Sequence, residues 1–144
     1  MMSLTLAQAS KIIEGALTKA RELKLKPVGI AVLDARGVLV AFSGEDGGGL
    51  FRPDIARAKA YGCLGFNSGG RPLAARAAKQ PEFAAAMAEI SGGRFAPMAG
   101  GALVRDAGGA IVGAVGISGD TSDNDEVCTI AAIEFAGFKA DAGV

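Results

Sequence analysis

The 144-residue chain sets 15 Lys and Arg against 15 Asp and Glu and is half hydrophobic, a length and composition suited to one self-sufficient domain over residues 1–144 with no room for a second. Zero net charge, no cluster of four or more basic residues and only 6% aromatic content exclude the electrostatic and base-stacking surface of a nucleic-acid binder. The chain has no histidine, which removes the usual neutral-pH general base, the Ser-His-Asp and Cys-His nucleophile systems and the commonest metal and haem ligand.

Met1 to Lys11 lacks the charged-then-apolar order of a secretory signal, and no apolar run reaches the roughly 18 residues of a membrane span, so a cytoplasmic protein without a membrane partner is expected. Leu6, Ala9, Ile12, Ile13, Ala16, Leu17, Ala20 and Leu23 recur at three- and four-residue spacing, which predicts a helix from about Thr5 to Leu25 with Thr5 or Ser3 as its cap. Pro27 breaks it. The apolar run Val28 to Leu33, the turn Asp34-Ala-Arg-Gly37 and the run Val38 to Phe42 then predict a β-hairpin.

After the glycine-rich loop from Glu45 to Gly49, helical spacing returns from Pro53 through Leu64, and Asn67-Ser-Gly-Gly70 ends that helix. Gln80-Pro81 divides two alanine-rich stretches, Leu73 to Ala78 and Glu82 to Ile90, into two short helices, because the residue before proline disfavours helix. Ala102 to Arg105, the turn Asp106-Ala-Gly-Gly109 and Ala110 to Ile117 predict a second hairpin, followed by a terminal helix from about Asp123 to Ala140. Helices between hairpins, rather than after every strand, predict an α+β fold: an antiparallel sheet of about five strands with flanking helices.

The segments Val28 to Gly37, Asp54-Ile-Ala-Arg-Ala-Lys-Ala60, Pro97-Met-Ala-Gly-Gly101, and Gly113-Ala-Val-Gly-Ile-Ser-Gly119 followed by Asp125-Glu126 occur in order over nearly the whole chain. In this combination the chain resembles the GlcG/HbpS-like family, which includes the C-terminal domain of PduO-type corrinoid adenosyltransferases. The resemblance implies a profilin-like layered α/β fold, assembly into dimers or octamers, and haem binding or a corrinoid-associated role; some relatives resemble enzymes acting on aromatic hydroxylamino compounds. Haem binding in the family is attributed to a histidine axial ligand, and this chain has none. Tyr61, Cys63, Met87, Met98 and Cys128 are its soft or phenolate groups, and each lies in an apolar context that core packing also explains.

Candidate site residues fall in three places. Arg52 and Lys59 approach one side of the second helix, a cation pair suited to an anionic ligand, although a solvated face with Asp54 and Arg57 in surface pairs explains the same pattern. Pro97, Gly100 and Gly101 precede a strand, where adjacent glycines expose backbone N–H groups to a carboxylate or phosphate, or form a simple bulge. Ser118 and the acidic run to Asp125 and Glu126 lead into the last helix; helix capping is the plain account, and an acid/base role for Asp125 or Glu126, with Lys59, is the chemical one. The run departs from the calcium-loop pattern, so no metal site is expected.

Three functions follow in order of preference. The first is a homo-oligomeric binding protein for haem or another planar or anionic small molecule, held by Arg52, Lys59, Pro97, Gly100, Gly101 and Ser118. The second is an enzyme, with Lys59 anchoring a small aromatic hydroxylamine or organic acid and Asp125 or Glu126 moving protons in a lyase or rearrangement step. The third is an oligomeric scaffold partner of another enzyme.

Overall fold

The computed structural model describes residues 3–144; Met1 and Met2, part of the stretch read as one domain and as lacking a signal, lie outside the described residues. Helix α1 (Leu6–Glu22) starts on Thr5, whose hydroxyl accepts from Gln8 N while the Gln8 side chain accepts from Thr5 N, a reciprocal cap. Strands β1 (Gly29–Asp34) and β2 (Leu39–Gly44) form the first hairpin, and β3 (Gly101–Arg105) and β4 (Ile111–Ser118) the second. Both turns use one device. Asp34 Oδ1 accepts from Arg36 N and Val38 N, Asp106 Oδ1 accepts from Gly108 N and Ala110 N, and Gly37 and Gly109 take positive φ of 84° and 89°.

Between the hairpins lie α2 (Arg52–Phe66), α3 (Gly70–Lys79) and α4 (Pro81–Ile90); α5 (Ser122–Phe135) follows β4. Asn67 ends α2 in the left-handed region at φ 50°, and Pro81 opens α4 directly after the α3 cap Gln80. The expected terminal helix to Ala140 is shorter. It stops at Phe135, Gly137 turns the chain at φ 88°, and Lys139–Asp141 forms β5.

The sheet is fully antiparallel in the order β2-β1-β4-β3-β5, with α1 and α5 packed together on one face and α2 on the other. Every residue of β1, and all of β4 after Ile111, is therefore buried, which is why these strands read as continuous apolar runs rather than alternating ones. The larger core cluster joins α1 and α5 to the sheet, with Ile12, Ile30, Val115, Ile117 and Ile133 at its centre; Leu33, Ala60, Cys63, Leu103 and Ala114 form the smaller one beneath α2. Both cysteines are free and buried, and burial pushes each thiol up to about 12. Helix α4 stands apart: none of its residues is buried, and its main attachment is the ring cluster of Phe66, Phe83 and Phe95. Among the described residues no helix is long and apolar enough to cross a membrane.

Candidate functional site

The end of the sheet where β4 runs out gathers most of the expected site residues. Lys59 rises from α2 beneath the Gly100-Gly101 entry to β3 and places its ammonium 2.9 Å from Ile117 O and 3.3 Å from Asp125 Oδ2 on α5. Both side chains of this pair are 2% exposed. A buried carboxylate is tolerable only when its oxygens are satisfied, and Asp125 also accepts from Asp120 N at 3.0 Å and Gly119 N at 3.4 Å. Burial lowers the pKa of Lys59 below the usual lysine value, and the nearby Arg52 adds to this, while Asp125 opposes both.

Gly100 makes the crossing feasible. Its φ of 116° lies outside the range L-residues favour, and a Cβ there would stand 2.8 Å from Lys59 Nζ and 3.2 Å from Asp125 Cβ. Thr129, one turn along α5, donates its hydroxyl toward Gly100 O at 2.8 Å and Asp125 O at 2.9 Å, tying loop and helix together. Pro97 is half-buried at the start of this loop.

Arg52 sits at the start of α2 with its guanidinium turned to β4, Nη1 donating to Ser118 Oγ at 3.1 Å. It is half-buried, and among the described residues no carboxylate lies within 4.0 Å of it. Beside it opens a hollow of about 90 Å³ whose walls include Gly29, Gly44, Gly48 and Gly49, positions without side chains, together with the ring of Phe42. Glu45 also borders the hollow, but its carboxylate accepts from Arg21 at 2.9 Å and Val28 N at 3.0 Å. An uncompensated guanidinium at a helix start attracts an anion, and the hollow has room for one acid group. Leu50 and Phe51, 85% and 68% exposed, come immediately before it in the chain.

The acidic run does not act as one cluster. Asp125 turns inward to Lys59, whereas Glu126 receives both Arg71 Nε (3.1 Å) and Nη2 (2.9 Å), and Asp123 receives Nη2 at 2.6 Å. Arg71 on α3 thus gathers two of the three carboxylates, and among the described residues no group of three His, Cys, Asp or Glu side chains is placed to hold a metal ion. Sequence reading passed over Arg71 and Thr129. Thr129 had a signal, standing four residues after Asp125 and hence on the same helical face; Arg71, 55 positions from Glu126, had none.

Asp120, between β4 and α5, accepts from Lys26 N and Thr121 N at 2.9 Å and from Asn124 Nδ2 at 2.7 Å, and these bonds, that from Lys26 first, hold its carboxyl near 2 rather than 3.8. A carboxyl with a depressed folded pKa stabilises the fold above its unfolded value and loses that contribution as pH falls through the folded one. The melting-temperature gap between wild type and Asp120→Asn is therefore expected to be full above about pH 4 and to close as the pH approaches about 2, read by thermal melts across that range.

A family model described as haem-degrading HbpS-like proteins matches residues 4–134. Among solved structures, HbpS is 29% identical with a TM-score of 0.80, covering 93% of this chain and 90% of its own. The protein ORFY of Klebsiella pneumoniae is 23% identical, TM-score 0.84, over 95% of this chain and 92% of its own. A haem complex of PduOC is 20% identical, TM-score 0.85, over 97% of this chain and 99% of its own. No curated protein matches the chain.

Proposed function

Because this chain belongs to the HbpS-like family, we propose that it binds a planar anionic small molecule of the porphyrin class, gripping the ligand's acid groups rather than a metal at its centre. The observation that carries this reading is Arg52: a half-buried guanidinium with one hydrogen bond among the described residues, to Ser118, facing a glycine-walled hollow. One carboxylate of the ligand takes the free edges of Arg52, while the buried hydroxyl of Ser118 holds the guanidinium in place from behind. Its ring system lies over Phe42 and the exposed Leu50 and Phe51, and a partner subunit in a homo-oligomer would cover the far side.

Lys59 and Asp125 are positioning residues in this reading. Lys59 holds Ile117 O, the carbonyl just before Ser118, and Asp125 neutralises the ammonium so that the charge offered to the ligand is that of Arg52. Gly100 and Gly101 keep that crossing clear, and Pro97 sets the entry of their loop. Glu126, committed to Arg71, braces α3 against α5.

Haem itself is met halfway by these residues. Its propionates suit Arg52, whereas among the described residues no His, Cys, Met or Tyr borders the Arg52 hollow. Cys63 and Cys128 are fully buried, and Tyr61 and Met87 line a different cleft. Hemin and metal-free protoporphyrin are accordingly expected to bind with similar affinity, and Arg52→Ala to weaken both by about tenfold, as loss of a charge-assisted contact does. Absorbance titration of both compounds tests this. Much tighter hemin binding, with a Soret shift abolished by Tyr61→Phe, would overturn it.

A further inference from the structure

The outer side of α2 carries a second cleft that shares no residue with the Arg52 hollow. It measures about 290 Å³ and lies between α2 and the segment from Met87 to Phe95. Two glycines of α2 shape it. A Cβ on Gly62 would stand 2.5 Å from the Phe95 ring, so that ring closes against the helix by its edge as one wall. A Cβ on Gly65 would meet nothing within 4 Å, because Gly65 faces the hollow. Phe66 and Met87 complete an apolar lining, and Ile90, 74% exposed, stands at the rim.

Charge at this cleft has one sign. The Arg94 guanidinium sits 4.5 Å above the Tyr61 ring, its Nε donating to Ser91 O at 2.7 Å. Its two terminal nitrogens have no partner among the described residues, and no carboxylate lies within 4.0 Å of Arg94 or of Arg57, which borders the adjoining hollow with Arg94 and Asp54. The Tyr61 hydroxyl is likewise unpartnered among the described residues. An apolar slot with aromatic walls, one phenol and a guanidinium at its mouth matches a flat apolar ligand carrying a single negative charge.

We infer that the α2/α4 cleft is a binding site for an aromatic monoanion of one or two rings, its rings against Phe66, Phe95 and Gly65 and its acid group on Arg94. The volume admits one or two fused rings and is too small for a four-pyrrole macrocycle, so this site is separate from the one proposed at Arg52.

Tyr61 is the only tyrosine and there is no tryptophan, so its ring signals in an NMR titration report on this cleft alone. With 2-naphthoate as the probe, saturable shifts of the Tyr61 ring signals are expected. Gly65→Leu fills the hollow from a helical position where leucine is the better helix former, and should weaken binding at least about tenfold without lowering the melting temperature. Arg94→Gln should weaken 2-naphthoate by about tenfold but leave the uncharged 2-naphthylmethanol unchanged. Arg52→Ala should change neither, which separates failure here from failure at the other site. Absence of saturable binding to the wild type, or unchanged 2-naphthoate affinity in either Gly65→Leu or Arg94→Gln, overturns the proposal.

Discussion

Lys59→Met is expected to destabilise the protein by about 3–5 kcal/mol, the cost of leaving one member of a buried ion pair without its partner. The methionine is close in volume, so the loss is electrostatic. Asp125, 1% exposed, would be left with only the N–H groups of Gly119 and Asp120 to satisfy it. Asp125→Leu should cost a similar amount for the mirrored reason, an ammonium enclosed beside Ile117 O alone. The double variant Lys59→Met, Asp125→Leu is expected to recover most of either single loss, because a buried pair replaced by apolar groups of similar size is often close to neutral. Chemical denaturation of the four proteins, with the coupling energy taken from the cycle, checks this; single losses under about 1 kcal/mol would show that water reaches the pair in solution.

Gly116→Val is the second large effect, with an expected loss of about 3 kcal/mol or more, at the upper end of overpacking. Gly116 is the point where α2 lies directly on β4. A Cβ there would run into the Ala56 carbonyl and approach Ala60 N to 2.9 Å, so the helix backbone itself would have to move. That movement would carry Lys59 with it, three residues from Ala56 and one from Ala60. The lesion should therefore appear twice, as a lower denaturation midpoint and as weaker porphyrin binding. Gly109→Ala, in a turn with nothing within 4 Å of a Cβ, would add only the strain of positive φ and serves as the control.

Local chemistry made most of the fold legible. The two Asp-Ala-x-Gly turns, the Thr5 cap, the Gln80-Pro81 break and the helical spacing of α1 each follow from contacts within four or five residues, and the structure has each in place. The end of the chain was misread for the opposite reason. Lys139–Asp141 is a strand only because Leu103, Val104 and Arg105 lie beside it, and three residues carry no period of their own. At the site, a sequence can rank Lys59 and Asp125 as neighbours of chemistry, but whether such a lysine faces solvent or a carboxylate depends on how α2 and α5 meet at the end of the sheet, across 66 positions. The same holds for the sorting of Asp125, Asp123 and Glu126 between two cations on two different helices.

The loose seating of α4 has a consequence for how a molecule could enter the cleft beside it. Because no α4 residue belongs to either core cluster, detaching the helix breaks the contacts of Phe83 with Phe66 and Phe95 and the stacking of Arg76 on Phe83, and nothing in the sheet. Such a segment exchanges its amide hydrogens through local opening far below the global unfolding free energy. Admission to the cleft and survival of the fold are then governed by separate barriers, and a change in α4 can tune the rate of one while leaving the other where it was.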